Sequence, residues 1–250
     1  NRTQGKSGDN IHLTIATNLQ KFASERLKGM SASSVLIDLR GGDILSLVST
    51  PSYNPNNFVL GISQSDWNAL LNDERKPLLN KATSGAYPPG STFKMVVAAA
   101  ALELGLIGLN DKIFCAGFYE LGSRNFHCWL KGGHGKLTLQ EAIQKSCDVY
   151  FYELARKVGV KRIGNMAKRL GLGQAYDLPL TGLSKGFVPT KKWKKERFGT
   201  SWLVGDTLNV GIGQGFSLAT PLQLAVMTAR LASGKEVTPN IIKNSNKNPD

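Results

Sequence analysis

The spacing of apolar residues predicts strands near the start of the chain. Apolar and polar positions alternate over residues 11–15, as in a half-buried strand, and residues 17–30 have the period of an amphipathic helix. The apolar face of that helix is formed by Leu19, Phe22, Leu27 and Met30. Two more strand-like runs, residues 34–39 and 43–48, are joined by Arg40-Gly41-Gly42, which is typical of a β-hairpin.

The rest of the chain is predicted to be mainly helical. Helices are expected over residues 67–71, 95–106, 138–146, 149–158, 160–170 and 220–232. Thr138 and Glu141 have the spacing of a capping box at the start of one of them. Residues 107–136 and 173–209 show little periodicity and are predicted to be irregular, the second segment being a basic loop. Strands followed by helices indicate a mixed α/β fold.

Composition and charge narrow the functional classes. Apolar residues make up 41% of the chain, enough for a sizeable core, and no run of about 20 apolar residues could span a membrane. The net charge of +13 favours acidic partners. Residues 185–197 hold six basic residues around Trp193, which indicates either a solvated loop or nucleic-acid contact. Without a zinc-finger, helix-turn-helix or RRM signature, we expect no nucleic-acid partner.

The most informative motif places a serine and a lysine three residues apart. In residues 87–94, a Pro-Pro-Gly turn leads through Ser91 to Lys94 and into the Ala-rich helix 95–106. Proline and glycine suit a helix entry, and residues three apart share one helical face, so Lys94 is expected to reach the Ser91 hydroxyl. A desolvated lysine can act as the base that activates a serine nucleophile. The motif therefore predicts acyl transfer through Ser91.

A second motif follows at Ser146-Cys147-Asp148, at the end of a predicted helix. Serine nucleophiles of this kind are accompanied by Ser-x-Asn, and here aspartate stands at the third position. The Ser146 hydroxyl could relay a proton between Lys94 and a leaving amine. Asp148 could hold Lys94 or the substrate in place. Ser91, Lys94, Ser146 and Asp148 are therefore the candidate catalytic residues.

These motifs and several flanking segments resemble the class B penicillin-binding proteins, in particular the elongation transpeptidases of the penicillin-binding protein 2 type. The similar segments cover most of residues 8–240, in the same order. They are residues 8–15, 80–94, 132–135, 189–193, 205–207 and 211–215. Read without the resemblance, the glycines of 211–215 indicate a tight backbone turn rather than a nucleotide site.

The resemblance implies a fold and an activity. The fold would be the α/β (α+β) fold of penicillin-binding transpeptidases and serine β-lactamases, with an antiparallel sheet packed against helices and a large helical subdomain. One transpeptidase domain would span residues 1–250, with a lead-in over 1–10, strands and a helix over 11–50, and the helical subdomain over 51–240. The activity would be D,D-transpeptidation of peptidoglycan stem peptides through an acyl-enzyme on Ser91, which β-lactams would also acylate.

The resemblance also implies partners and a location. A membrane anchor would hold such a protein at the periplasmic face of the bacterial inner membrane, with a membrane-bound glycosyltransferase and elongation-complex proteins as partners. The alternatives are a serine β-lactamase, a penicillin-sensing domain or non-catalytic scaffold, and a zinc-stabilised nucleic-acid binder. Rapid release of an acyl group, binding without turnover, and salt-dependent DNA affinity would distinguish them.

One family motif is missing from its usual place. No Lys-Thr-Gly or Lys-Ser-Gly follows Ser146, and Lys6-Ser7-Gly8 lies at the opposite end of the chain. In the family, the strand with this motif lies beside the nucleophile, helps to bind the substrate carboxylate and supplies an oxyanion-hole amide. We therefore expect the anchor, the pedestal and the motif-bearing C-terminal part to be absent, the central sheet to be incomplete and the active site to be damaged.

All three cysteines fall within residues 115–147, together with two histidines. Cys115, Cys128, His134 and Cys147 have the composition of a closed Cys₃His zinc site, although no Cys-x-x-Cys pair is present. Zinc sites in some relatives of the resembled family support this hypothesis, and zinc there would fix Ser146 and Asp148 from behind. Buried thiols, or one disulfide and one thiol, are the alternatives. His127 is a second candidate ligand.

Overall fold

The computed structural model describes residues 8–243 and contains nine helices and six strands within that range. The helices are α1 Thr17–Arg26, α2 Gln64–Asn72, α3 Lys94–Glu103, α4 Leu139–Gln144, α5 Asp148–Val158, α6 Val160–Arg169, α7 Lys191–Phe198, α8 Val204–Gly211 and α9 Pro221–Ser233. The strands are β1 Ala32–Ile37, β2 Ile44–Thr50, β3 Ile113–Cys115, β4 Phe118–Leu121, β5 Arg124–His127 and β6 Gly135–Leu137. The predicted α/β class is confirmed.

The chain forms two compact units. Within the described range, unit 1 comprises residues 8–82, 176–181 and 228–243, and unit 2 comprises residues 83–175 and 182–227. No described helix is both long and apolar enough to cross a lipid bilayer.

Unit 1 contains the predicted hairpin. Strands β1 and β2 pair in antiparallel register from Ala32 with Thr50 onward, and α1 packs on β2. A polar side chain makes this junction, because Gln20 of α1 accepts hydrogen bonds from Ser46 Oγ and Leu47 N and donates one to Leu47 O. The helix is therefore held to the strand by hydrogen bonds of the Gln20 side chain rather than by an apolar stripe.

The prediction for the chain start is partly wrong. Among residues 8–243, residues 11–15 form one isolated bridge, between Leu13 and Ile242, instead of a strand. Helix α1 ends at Arg26, and the side chains of Phe22 and Met30 are 59% and 48% exposed. Helix α1 turns Gln20 toward β2. Phe22 is two residues further along the helix, a rotation of about 200°, and therefore lies on the opposite face.

Helix α3 lies among the buried helices of unit 2. Both of its valines and three of its four alanines are buried, and it packs against α5 and α6. Helix α5 also packs on α8, where a Cβ on Gly211 would lie 2.4 Å from Ala155 Cβ. Small side chains therefore allow these helices to approach closely, which fixes the positions of the α3 and α5 N-termini.

Both segments that were predicted to be irregular contain regular structure. Residues 107–136 include most of two antiparallel pairs, β3 with β6 and β4 with β5. These strands have three or four residues, too few to show a clear alternation. Residues 173–209 include α7 and most of α8. Helix α7 is almost entirely polar, so it has no apolar stripe, and its boundaries are set by the Thr190 cap and by Gly199 in the left-handed conformation.

Candidate active site

Ser91 lies in a 3₁₀ turn, Gly90–Phe93, that continues directly into α3. Phe93 is 1% exposed and anchors the turn in the core, whereas Ser91 is exposed. The backbone N–H of Gly90 donates to Gly213 O at 2.9 Å. Gly213 has a φ of 71°, and a Cβ there would lie 2.0 Å from Gly90 O, so only glycine allows this approach. The serine is thus presented at the positive end of a helix.

Lys94, the first residue of α3, is 2% exposed and fully hydrogen bonded. Its Nζ donates to Ser146 O at 2.8 Å, to Ser146 Oγ at 2.9 Å and to Asp148 Oδ1 at 2.7 Å. These three partners account for the three donors of an ammonium group. The two predicted motifs therefore meet at the buried lysine amine.

Ser146 connects the lysine to the nucleophile. Its hydroxyl accepts the Lys94 bond and donates to Ser91 Oγ at 2.9 Å. Within residues 8–243, no hydrogen bond joins Lys94 Nζ directly to Ser91 Oγ, so the expected direct contact is replaced by one through Ser146. The physical reason is that the Lys94 donors are directed to Ser146 and Asp148 instead.

The backbone of Ser146 is unusual, with a φ of 50°. A positive φ is rare for residues other than glycine, and it is maintained only where the surroundings hold it. Helix α4 has ended at Gln144, and the Ser146 N–H still donates to Ile143 O at 3.1 Å. The capping box of Thr138 and Glu141 that starts α4 is confirmed, so the predicted helix delivers Ser146 at its C-terminal end.

Trp129 is a site residue that the sequence did not indicate. Its backbone N–H donates to Asp148 Oδ2 at 3.0 Å, and its indole Nε1 donates to Lys145 O at 3.1 Å and Ser146 O at 3.2 Å. It therefore holds both ends of the second motif. Its ring is 63% exposed and borders an open cleft of about 670 Å³ beside Ser146. Only its position next to Cys128 could have drawn attention to it.

The four residues of the suggested metal site come together. The ligand atoms of Cys115, Cys128, His134 and Cys147 all lie within 4.8 Å of one another. His134 Nδ1 is 3.7 Å from Cys115 Sγ and 3.6 Å from Cys128 Sγ. All three thiols are free in this structure, with no disulfide between them. His127 is exposed in β5 and does not join the group, so it is not brought to the site.

Burial makes this cluster electrostatically unusual. Burial raises the pKa of the Cys147 thiol, so without a cation it stays protonated. Burial also lowers the pKa of His134, which keeps the imidazole neutral. Gly133, with a φ of 75°, brings its backbone so near to the first cysteine that a Cβ would lie 2.3 Å from Cys115 O. Cys147 is the N-cap of α5, between Ser146 and Asp148, so the cluster lies directly behind the second motif.

The prediction about the third motif falls partly on residues that the structure does not describe. Lys6 and Ser7 of the Lys-Ser-Gly sequence lie outside the described residues 8–243.

Comparison with known proteins shows the family to which the domain belongs. Residues 32–249 match the penicillin binding protein transpeptidase domain. The peptidoglycan D,D-transpeptidase MrdA of Haemophilus influenzae is 42% identical over 240 residues, which are 95% of this chain and 37% of that protein. The chain thus spans less than half the length of this curated relative.

Solved structures give the same result. Penicillin-binding protein 2 (PBP2) of Pseudomonas aeruginosa, in complex with WCK 5153, aligns with a TM-score of 0.90 and 39% identity over 96% of this chain and 56% of that one. PBP2 of Helicobacter pylori, in complex with MreC, aligns with a TM-score of 0.90 and 38% identity over 95% of this chain and 44% of that one. This chain belongs to the family of penicillin-binding protein transpeptidase domains.

Proposed function

We propose that the chain is the catalytic domain of a peptidoglycan D,D-transpeptidase that cross-links stem peptides during cell elongation. One observation carries the proposal: a continuous hydrogen-bonded path runs from Asp148 through Lys94 and Ser146 to Ser91. Such a path is what a weak serine nucleophile needs to lose its proton. The buried amine is the base, and the exposed hydroxyl is the nucleophile.

The proton follows this path in both directions. When Lys94 is neutral, it accepts the Ser146 hydroxyl proton while Ser146 accepts the proton of Ser91. Ser91 Oγ then bonds to the carbonyl carbon of the penultimate D-Ala. The C–N bond to the terminal D-Ala breaks, and the proton returns through Ser146 to the leaving amine. An acceptor amine next attacks the Ser91 ester and restores the hydroxyl. The positive end of the Ser91 turn and α3 stabilises the oxyanion.

The test is a cross-linking reaction with a protein of the relatives' full length that contains this sequence. A donor stem peptide ending in D-Ala-D-Ala and an amine acceptor should yield the cross-linked peptide and one free D-Ala per bond. Ser91→Ala should abolish both products, and Thr92→Ala, on the same exposed turn, is the control. Product formation by the Ser91→Ala protein would disprove the role of this hydroxyl, and absence of product in the parent protein would disprove the activity.

We also propose a place of action at the periplasmic face of the inner membrane, within an assembly that contains a glycosyltransferase. Two observations on relatives support this: the H. pylori relative was solved in complex with MreC, and a structure 33% identical to this chain comes from a peptidoglycan synthase complex that coordinates polymerization and crosslinking. If catalysis is the role in that assembly, a full-length Ser91→Ala protein should fail to support rod-shaped growth while still joining its partners. Normal elongation by that protein would indicate a scaffold instead.

We further propose that Cys115, Cys128, His134 and Cys147 bind a structural Zn²⁺. A tetrahedral zinc with bonds of about 2.0–2.3 Å separates its sulfur and nitrogen ligands by roughly 3.6 Å. The separations of His134 Nδ1 from the two nearer sulfurs, 3.6 and 3.7 Å, fit that requirement. The ion would stabilise the thiolates and hold the turn that carries Ser146.

Metal analysis tests this proposal. Protein purified without chelators should contain about one equivalent of zinc, and Cys115→Ser should lose it and melt at a lower temperature. Cys115 is suitable because it does not adjoin a proposed catalytic residue. Less than a tenth of an equivalent in the parent protein would rule out a zinc site.

A further inference from the structure

A groove on unit 2 lies between α6 and the segment that leads into α7. Its volume is about 250 Å³. The apolar part of its lining consists of Val160, Gly164, Val188 and Pro189. Four lysines also line it, Lys161, Lys168, Lys191 and Lys192, and no carboxylate is among the lining residues. None of these residues belongs to the Ser91 site.

Gly164 keeps the floor of the groove open. It lies within α6, where glycine is unfavourable relative to alanine. A Cβ at this position would be 3.5 Å from Val188 Cγ1, an ordinary contact distance, so alanine would fit. Longer side chains would extend into the groove. The recess therefore has the size to receive a side chain from another molecule.

The lysines around the groove are available to a ligand. Lys161, Lys168 and Lys191 are exposed, and no salt bridge involves them among the described residues. Lys192 has one exposed partner, Glu196, at 3.7 Å. By contrast, Lys194 of the same helix turns inward to Asp206. Helix α7 begins at Lys191, so the positive end of its dipole adds to the potential of the groove.

We infer that this groove binds an acidic segment of a partner protein, with one apolar side chain on the floor and flanking carboxylates on the lysines. Charge complementarity requires an anionic partner. A bilayer surface presents its anionic charge across a plane, whereas this recess combines lysines with an apolar floor. Lysines can contact phosphates, but the lining has no aromatic or arginine side chain that would contact the bases of a nucleic acid. A peptide supplies both the carboxylates and the apolar side chain.

A short labelled peptide provides the probe. Fluorescence polarisation follows binding of fluorescein-labelled Asp-Glu-Leu-Glu-Asp-amide to the 250-residue chain. Lys161→Gln with Lys168→Gln should weaken binding by about 2- to 30-fold, since each exposed pair contributes modestly. Replacing the probe leucine by serine should weaken it again. Gly164→Leu should fill the floor of the groove and so prevent peptide binding. If the Gly164→Leu protein misfolds, the exposed lysine variants still test the inference.

The control carries the same charge change outside the groove. Lys112 and Lys136 are exposed in unit 2, and neither lines the groove. Lys112→Gln with Lys136→Gln should change the affinity by less than about twofold, since only the net charge falls. Equal losses in the two double variants would overturn the inference. So would a lack of saturable peptide binding, or binding to phosphatidylglycerol vesicles without binding to the peptide.

Discussion

At the scale of single residues, the site depends on the unusual backbone of Ser146. Its carbonyl accepts hydrogen bonds from Lys94 Nζ and Trp129 Nε1, and its hydroxyl lies between Lys94 and Ser91. These contacts hold a φ of 50° that a serine does not prefer. These contacts support the proposed proton relay through Ser146 and a positioning role for Trp129.

Replacing Ser146 by alanine should separate chemistry from folding. The Ser146→Ala protein loses the only hydrogen bond that the described residues provide to the Ser91 hydroxyl. Because proton transfer by a positioned group contributes about 10²- to 10⁴-fold, we expect acylation by benzylpenicillin to slow by that factor. Stopped-flow acylation gives the rate, and a thermal melt close to that of the parent protein provides the control. A rate within threefold of the parent would show that Ser146 relays no proton.

Trp129→Phe should reduce the acylation rate without unfolding the domain. The variant loses the indole bonds to Lys145 O and Ser146 O but keeps the backbone bond to Asp148. A neutral hydrogen bond contributes about 0.5–1.5 kcal/mol, so we expect a loss of about 2- to 10-fold. Trp202→Phe is the matched control, because it removes one indole bond, to Thr207, at another place in unit 2. Equal effects of the two variants would contradict a positioning role for Trp129.

At the scale of elements, α7 and α8 show why a basic segment can be ordered. Lys194 is 8% exposed and pairs with Asp206, which also accepts the N–H of Leu203 at the start of α8. Trp193 of α7 packs on Phe187, Phe198 and Phe216. The two helices are therefore joined by a buried ion pair, and aromatic contacts of Trp193 hold α7 in place without an apolar stripe.

Asp206→Ala should destabilise the protein far more than a substitution that breaks an exposed ion pair. It leaves Lys194 buried without its partner and removes the cap of α8, and losing one partner of a buried pair costs about 3–5 kcal/mol. Chemical denaturation should show a drop of that order in the free energy of unfolding. Adding Lys194→Met to the Asp206→Ala protein should restore part of the lost free energy of unfolding. Glu196→Ala, which breaks the exposed pair with Lys192, should cost less than about 0.5 kcal/mol. Similar losses for both alanine variants would refute the structural role of Lys194.

The sequence predicted the elements that have strong local signals and missed those that depend on tertiary contacts. The capping box at Thr138, the hairpin around Gly42 and the helix after Ser91 each have a local determinant, and each is present. Helix α7 has no such pattern because its buried residues are a lysine and part of a tryptophan. The site residues Ser91 and Ser146 could be found by motif, and the glycines of 211–215 indicated the tight turn that contains Gly213. Trp129 could not be found in this way, because its hydrogen bonds join segments that are distant in sequence.

At the scale of the whole molecule, the suggested metal cluster links the short strands of unit 2 to the catalytic turn. Cys115 ends β3, His134 precedes β6, and Cys147 caps α5. These strands have three or four residues each, so side-chain packing within them is limited. A metal ion that held the cysteines would stabilise this whole region.

Removal of the metal should therefore destabilise the region around the cluster more than the rest of unit 2. After chelation we expect faster amide exchange in residues 113–137, with α3 and the C-terminal part of α5 still protected, since α3 packs on α6 and α5 packs on α8. Hydrogen-exchange mass spectrometry provides the measurement, and restoring zinc should reverse the change. Uniform exchange across unit 2, or no change at all, would contradict a local stabilising role for the ion.

The central claim is that Ser91 is the nucleophile, activated through Ser146 and Lys94. Its most direct test is peptide mapping by mass spectrometry after a protein of the relatives' full length that contains this sequence is treated with benzylpenicillin. We predict one covalent adduct, on the peptide that contains Ser91. The lifetime of this adduct should be many times longer than the time needed to form it. No adduct at Ser91, or an adduct on another residue, would contradict the claim, and release as fast as formation would identify a β-lactamase instead of a transpeptidase.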